Sequence, residues 1–427
     1  MNGGDHATLK YRQIPMSAIQ RRLMYEYLGA LRLEKFTSKF MLRLGNIVEP
    51  FYMRRAWEMT VKSNTILRSA FIWKDLQEPM QRVYLPEDYP VNFIISDKPV
   101  SSFQEIYDDL EKYTPDLEFH TMYFCLYSGN QCCLAFHYIP FLLDGWSMSV
   151  MLEELFDNYL ILTGKKQDKS CEKVSYEQVI DCCINTQLSE KRHKYLREYM
   201  QGLDAPTILA PQKRGNDTRR CEKTLPIQLD IIRCYCKLQQ IMPSVLFYGV
   251  WALYLYRRLR CDTVAFGITM SGRGEKVPLD TIGQFICTLP CILKMNKDET
   301  ISDLLQRIKF DIIEKLDMPE LALGDFLKYR KYRSPMAFDS LVVIENYPIT
   351  FNGEIDIIDY SICEKASFNV VLGVIFEQGK IALQYDSAQF DNSEVLKMAS
   401  EILNILENVV YGKWKNVRDT AKWLCNK

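Results

Sequence analysis

The sequence predicts a mixed α/β protein built as two halves of similar size. Three observations carry this: stripes of helical period alternate with short strand-like runs along the whole chain, the 427 residues are 48% hydrophobic, and one polar, charged run falls before the midpoint. A chain of this length and apolar content fills two cores more readily than one.

The elements follow in order. Ile19, Leu23, Tyr27 and Leu31 recur every fourth residue, as do Met53, Trp57 and Val61, so each set marks one helical face. Between them SKFMLRLG, residues 38–45, reads as a strand. AFHYIPFLLDGWSMSVMLEEL, residues 135–155, reads as a strand, an Asp-Gly turn and a helix beginning near Ser147, with Met148, Met151, Leu152, Leu155 and Tyr159 as its apolar stripe. Glu153 and Glu154 read as solvated charges near the positive end of that helix. The run LTGKKQDKSCEKVS, residues 162–175, is the linker candidate, giving expected domains at 1–170 and 171–427.

The second half repeats the mixture. SVLFYGVWALYLY, residues 244–256, is read as a helix buried on all sides and too short to span a bilayer before Arg257 and Arg258 interrupt it. TVAFGITM and SLVVIEN read as strands flanking the helix ISDLLQRIKFDIIEKL. SFNVVLGVIFEQGKIALQYD reads as a hairpin turning at Gln378-Gly379. A last helix is expected from about Asn392 to Tyr411, with Leu396, Ala399, Leu403, Leu406 and Val410 on one face.

Composition excludes several function classes. Lys+Arg 53 against Asp+Glu 54 leaves a formal charge of -1, so no global field favours nucleic acid or an anionic membrane, and partners must be recognised locally. The 14 cysteines are scattered within apolar runs and show no paired CxxC spacing, which points to reduced thiols in a cytoplasmic protein with no metal site. The opening residues lack the apolar core of a signal peptide. GITMSGRGE contains glycines but no phosphate-binding pattern, and no Ser or Cys sits in a nucleophile elbow.

At this point a resemblance enters. IPMSAIQRRL is similar to the opening motif of condensation domains of nonribosomal peptide synthetases. SNTILRSAFI is similar to their second motif, with Arg68 in the usual arginine place and Asn64 where a histidine is common. SYEQVI, SGR with IGQFICTLP, and FDSLVVIENYP match further motifs in the same order and at similar spacing. The resemblance implies a chloramphenicol-acetyltransferase-like architecture: two lobes in a V with a central tunnel, entered from opposite faces by carrier-bound donor and acceptor. Trp146, Ser147, Phe285 and Asn346 are then the tunnel-lining candidates. Implied partners are acyl or peptidyl carrier proteins, neighbouring synthetase modules or a tailoring enzyme. No cofactor of its own is implied beyond the phosphopantetheine arm of those carriers.

The family's central motif is two histidines, three variable residues and Asp-Gly. Aligned on Asp144 and Gly145, this chain carries Ile139 and Pro140 in place of both histidines. The second histidine helps to position or deprotonate the attacking amine, and the proline side chain has neither donor nor acceptor for that role. His137 is one of four histidines and stands six residues before Asp144 instead of three. Strand alternation gives it the parity of Ile139 and not of Pro140, so it reads as a packed strand residue. A heterocyclization variant would carry Asp where Ile139 stands.

The remaining motif residues have structural readings. The resemblance implies that Asp144 is buried and salt-bridged to Arg273 of SGR, tying the lobes together, with Arg68 as the second choice of partner. Gly145 reads as a turn residue and Ser147 as a helix cap. Two functions therefore stand. One is a catalytically impaired condensation-domain relative with a docking or recruitment role. The alternative is an active acyltransferase forming an amide or ester from a carrier-bound thioester without the usual histidine.

Overall fold

The structure is a computed structural model that describes residues 9–30, 37–129, 131–168, 173–184, 189–210, 220–274, 276–316, 318, 321–345, 354–363, 368–376 and 378–422. Along the first part of the chain run β1 (Tyr11–Pro15), α1 (Ala18–Ala30), β2 (Ser38–Leu44), α2 (Pro50–Ser63), β3 (Ser69–Ile72), β4 (Met80–Tyr84) and β5 (Phe93–Ser96). They continue with α3 (Phe103–Leu110), β6 (Met122–Tyr127), β7 (Cys132–Tyr138), α4 (Gly145–Leu162) and α5 (Tyr176–Ile184). Then come α6 (Glu190–Gln201), β8 (Arg220–Pro226), α7 (Leu229–Gln239), α8 (Pro243–Leu259), β9 (Thr263–Met270) and β10 (Cys287–Lys294). The remainder is α9 (Ile301–Leu316), α10 (Leu323–Leu327), β11 (Ser340–Glu345), β12 (Ile357–Cys363), β13 (Val370–Ile375), β14 (Lys380–Asp386) and α11 (Asn392–Val410).

These elements form two compact α/β units. The first takes Met1–Thr186, Arg273–Ile286 and Tyr347–Lys365, and the second takes the rest. The expected boundary at 170/171 therefore falls inside the first unit. The physical reason is burial: Tyr176, Val179 and Ile180 of α5, and Val277, Ile282 and Phe285 far downstream, all sit in the first unit's core.

The first unit is centred on a five-stranded sheet ordered β12-β2-β7-β6-β5. Its edge strand β12 pairs antiparallel with β2, Tyr360 opposite Leu42, and so returns from late in the sequence. β7 is buried along its whole length because the sheet is covered on both faces. Leu134, Phe136 and Tyr138 join the core that also holds Trp57 of α2 and Leu152 and Leu155 of α4. Cys133 and Ala135 alternate into the cluster formed with Ile106 and Leu110 of α3. The small sheet β1-β4-β3 completes this unit.

The second unit is centred on the sheet β10-β9-β11-β13-β14-β8. Its helix α8 is buried continuously from Val245 to Leu255, as its unbroken apolar run predicts. Gly249 permits the close approach of α9, since a Cβ there would meet Leu305 Cδ2 at 2.4 Å. The β13–β14 hairpin turns at Gly379 with φ +59, a backbone conformation glycine adopts without strain. α11 begins as expected at Asn392, fixed by a capping box of Asp391 and Glu394. Its buried face only partly matches expectation: Ala399 and Leu406 are buried, Leu403 and Val410 are half-buried and Leu396 is 44% exposed, while Val395, Met398, Ile402, Ile405 and Val409 complete the buried face. Two adjacent rows of α11 are apolar, and the helix docks on the Val395 row together with Ala399 and Leu406 of the expected one. Among the described residues no helix is long and apolar enough to cross a membrane.

Candidate functional site

The segment carrying the expected motif is held from both ends. β7 stops at Tyr138, one residue before Ile139. The Ile139 amide donates to the Thr121 carbonyl at 3.1 Å, and the Leu142 amide closes a turn on the Ile139 carbonyl at 3.1 Å. Gln20 Nε2 reaches the Phe141 carbonyl at 3.5 Å. Within this turn Ile139, Phe141, Leu142 and Leu143 are fully buried in the first unit's core, and Pro140 is half-buried. Because the strand has already ended, Ile139 joins the α2/α4 core instead of the face that His137 occupies, so the expected shared parity does not extend past Tyr138. Pro140 needs no amide hydrogen here, and none of residues 139–143 carries an ionisable group.

Asp144 closes the turn. It is the N-cap of α4, its Oδ1 accepting from the Ser147 amide at 2.8 Å. Arg273 binds the same carboxylate through both terminal nitrogens, Nη1 to Oδ2 at 2.9 Å and Nη2 to Oδ1 at 3.1 Å. The amides of Phe285 and Ile286 donate to Oδ2 at 2.8 and 3.0 Å. Five donors thus converge on two oxygens, and the side chains of Asp144 and Arg273 are 2% and 1% exposed. A carboxylate so occupied has no lone pair left to take a proton from a substrate.

Ser147 extends the network. Its Oγ donates to the Gly283 carbonyl at 2.6 Å and accepts from the Gly283 amide at 2.9 Å and from Arg273 Nη2 at 2.7 Å. The helix therefore starts at Gly145, with Asp144 as the cap, whereas the sequence reading gave the turn to Gly145 and the cap to Ser147. Trp146 is half-buried, its Nε1 donating to the Leu279 carbonyl at 2.8 Å. The Arg273 guanidinium carbon lies 5.9 Å from the Trp146 ring centroid and 5.1 Å from that of Phe285. Since residues 273–286 belong to the first unit, the Asp144–Arg273 pair fastens that excursion within one unit instead of linking two lobes. Asn346, the fourth tunnel-lining candidate, lies outside the described residues.

Other motif residues support the same turn. Ser17 and Gln20 cap each other at the start of α1, at 3.1 Å in both directions. Gln20 Nε2 also donates to the Tyr176 hydroxyl at 3.0 Å, which donates to Gln81 Oε1 at 3.2 Å. The first motif and SYEQVI thus meet in one buried polar cluster beneath Phe141. Arg68 donates to the Tyr84 carbonyl at 2.6 Å and Thr65 Oγ1 at 3.3 Å, so the second-choice partner for Asp144 is engaged elsewhere. Asn64 binds Glu154 at 2.8 Å, and Lys173 binds the same Glu154 oxygen at 2.7 Å. Glu154 is accordingly 16% exposed and paired, not a solvated surface charge. No local sequence signal marks that pair, because Asn64 and Glu154 are 90 residues apart.

His137 is 1% exposed, on the opposite face of the sheet from the α2/α4 core. Its Nδ1 lies 3.1 Å from the Leu110 carbonyl, which only accepts, so Nδ1 carries the proton, and Nε2 pairs with Thr37 Oγ1 at 2.7 Å. Burial, assisted by the Lys39 charge, lowers its pKa to about 4. It is a neutral structural residue and not a displaced base.

The condensation domain profile matches residues 10–421. This chain belongs to the condensation domain family. It is 25% identical over 381 residues to surfactin synthase subunit 2 of Bacillus subtilis (strain 168), covering 82% of this chain and 10% of that protein. It is 22% identical over 347 residues to chondramide synthase cmdD of Chondromyces crocatus, covering 74% of this chain and 8% of that protein. This condensation domain thus spans a tenth or less of the length of these relatives. Among solved structures, the first condensation domain of the calcium-dependent antibiotic synthetase superposes with a TM-score of 0.78 at 14% identity, over 95% of this chain and 98% of that one. The condensation domain from the monacolin K polyketide synthase MokA gives 0.78 at 13% identity, over 95% and 99%. At these identities the likeness establishes the fold.

Proposed function

We propose that this condensation domain binds carrier-protein-tethered substrates in nonribosomal peptide or related acyl-conjugate assembly, and that it serves in docking or recruitment without histidine-assisted bond formation. The observation that carries this reading is the occupancy of the motif. A fully buried isoleucine and a proline stand where the family has its histidines, and the surviving Asp144 is saturated by five donors. Asp144 and Arg273 then serve the fold. The phosphopantetheine arm of the carrier is the only prosthetic group that enters this reading, and it belongs to the partner.

General-base assistance is worth about 10²–10⁴ in rate, whereas holding two reactants together supplies effective molarities of about 10⁵–10⁸ M. The test is therefore a measurement of turnover. Carrier proteins from the same locus are loaded with donor and acceptor, incubated with the protein, and read by intact mass. The expected result is measurable carrier binding with no condensed product above the no-protein control. Product accumulating well above that control overturns the recruitment reading in favour of an acyltransferase that works by positioning alone.

A further inference from the structure

We propose that a basic face of the second unit, built by α6 and residues 328–333, is a docking surface for the phosphopantetheinylated face of a carrier protein. This rests on the reading of carrier binding given above. α6 presents exposed Lys191, Lys194 and Arg197, and the sequence KYRKYR lies against it with exposed Arg330, Lys331 and Arg333. The two segments are fastened together. His193 Nδ1 lies 2.7 Å from the Tyr329 hydroxyl, the Arg197 guanidinium stands 5.9 Å from the Tyr329 ring centroid, and Lys331 Nζ donates to the Gln201 carbonyl at 3.2 Å.

In a chain whose net charge is -1, this density of cations on one face is a local feature. Glu198 lies 3.8 Å from Lys194, Asp204 3.9 Å from Lys331 and Asp325 2.9 Å from Lys328, and Glu190 is exposed at the start of α6, so these four acids offset part of the charge of seven exposed cations and leave the face net positive. The partner must therefore bring negative charge. A loaded carrier does so at the centre of its docking face, because its arm is joined to a serine through a phosphodiester whose oxygens suit the planar fork of arginine. Single-stranded nucleic acid is the competing polyanion, since basic and aromatic residues alternate in KYRKYR. Stacking requires free ring faces, however, and Tyr329 and Tyr332 are half-buried, with Tyr329 already engaged by His193 and Arg197.

The test compares the parent with Lys194→Glu/Arg197→Glu/Arg333→Glu. A control, Arg233→Glu/Lys237→Glu/Lys397→Glu, changes the net charge equally on exposed positions of α7 and α11. Affinity for holo and apo carrier is measured at low and high salt, and for an oligonucleotide at low salt. The expected result is a loss of at least about tenfold for holo carrier in the first variant, shrinking above roughly 0.5 M salt, with the control within about twofold of the parent. The parent should prefer holo over apo carrier, and the first variant should not. Should that variant fail to match the parent's thermal midpoint, the set Lys194→Gln/Arg197→Gln/Arg333→Gln takes its place. Equal affinity of parent and variant for holo carrier overturns this surface while leaving carrier binding intact. Oligonucleotide binding lost in the variant with carrier binding unchanged also overturns it. No carrier binding by the parent overturns the proposed function itself, and this surface with it.

Discussion

Asp144→Ala removes the acceptor on which five hydrogen bonds converge, and its cost follows from what each donor loses. The Arg273 guanidinium, on a side chain 1% exposed, is left without its counter-charge. Stranding a buried charge costs about 3–5 kcal/mol. Loss of the α4 cap adds about 1 kcal/mol, and the amides of Phe285 and Ile286 lose their acceptor. These contributions overlap, so about 4–6 kcal/mol is expected. At about 2–4 °C per kcal/mol for units of this size, calorimetry should show the first unit's midpoint lowered by roughly 10–20 °C. The companion variant Asp144→Ala/Arg273→Met removes both charges and should recover about 2 kcal/mol relative to the sum of the single changes. A shift of less than about 2 °C in Asp144→Ala, or strict additivity in the double variant, would refute the view that this pair holds the 273–286 excursion in place.

Three further outcomes follow from the same geometry. Pro140→Ala should leave carrier binding and any condensation rate unchanged, since it deletes no functional group, and a large loss in folded protein would show that the proline takes part in a mechanism. Ile139→His/Pro140→His should lower the thermal midpoint by several degrees, because Ile139 is fully buried in an apolar core. Pro140→His alone, at a half-buried position, is the cleaner test of restored turnover, and unchanged product yield with intact carrier binding would mean the site needs more than its missing base. His137 has a folded pKa of about 4, below its unfolded value of about 6.5. The unfolded state thus binds more protons between these values. The stability contributed by neutral His137 is fully present above pH ~6.5 and is lost as pH falls towards ~4. His137→Gln should flatten that part of a urea-midpoint profile, and an unaltered slope would contradict the assignment.

Elements with one strong period are legible in the sequence. The continuous apolar run of α8, the apolar β13–β14 hairpin with its glycine turn, and the capped start of α11 all stand where the pattern places them. The buried face of α11 stands only in part, at Ala399 and Leu406, because rows through Leu396 and through Val395 are both apolar and periodicity cannot choose between them. The route of the chain is also hidden. Residues 273–286 and β12 join the first unit through contacts with partners far away in sequence, such as Gly283 with Ser147 and Tyr360 with Leu42, and no local pattern reports such pairings. At the site, the motif resemblance pointed to Arg273, but the Phe285 and Ile286 amides on Asp144 are backbone groups, which residue identity cannot reveal.

The motif turns out to consist of two physically separate parts. Asp144, Gly145, Trp146 and Ser147 start α4 and seat the 273–286 excursion through side-chain and backbone bonds that any change at Asp144 or Ser147 would leave unmade. Positions 139 and 140 make no side-chain hydrogen bond of that kind, although Ile139 packs into the apolar core. Their backbone is fixed by the Thr121 carbonyl, by the turn to Leu142 and by Gln20 on Phe141, contacts that do not depend on what side chains stand there. The Asp-Gly-Trp-Ser run thus belongs to the fastening of the 273–286 segment in the first unit.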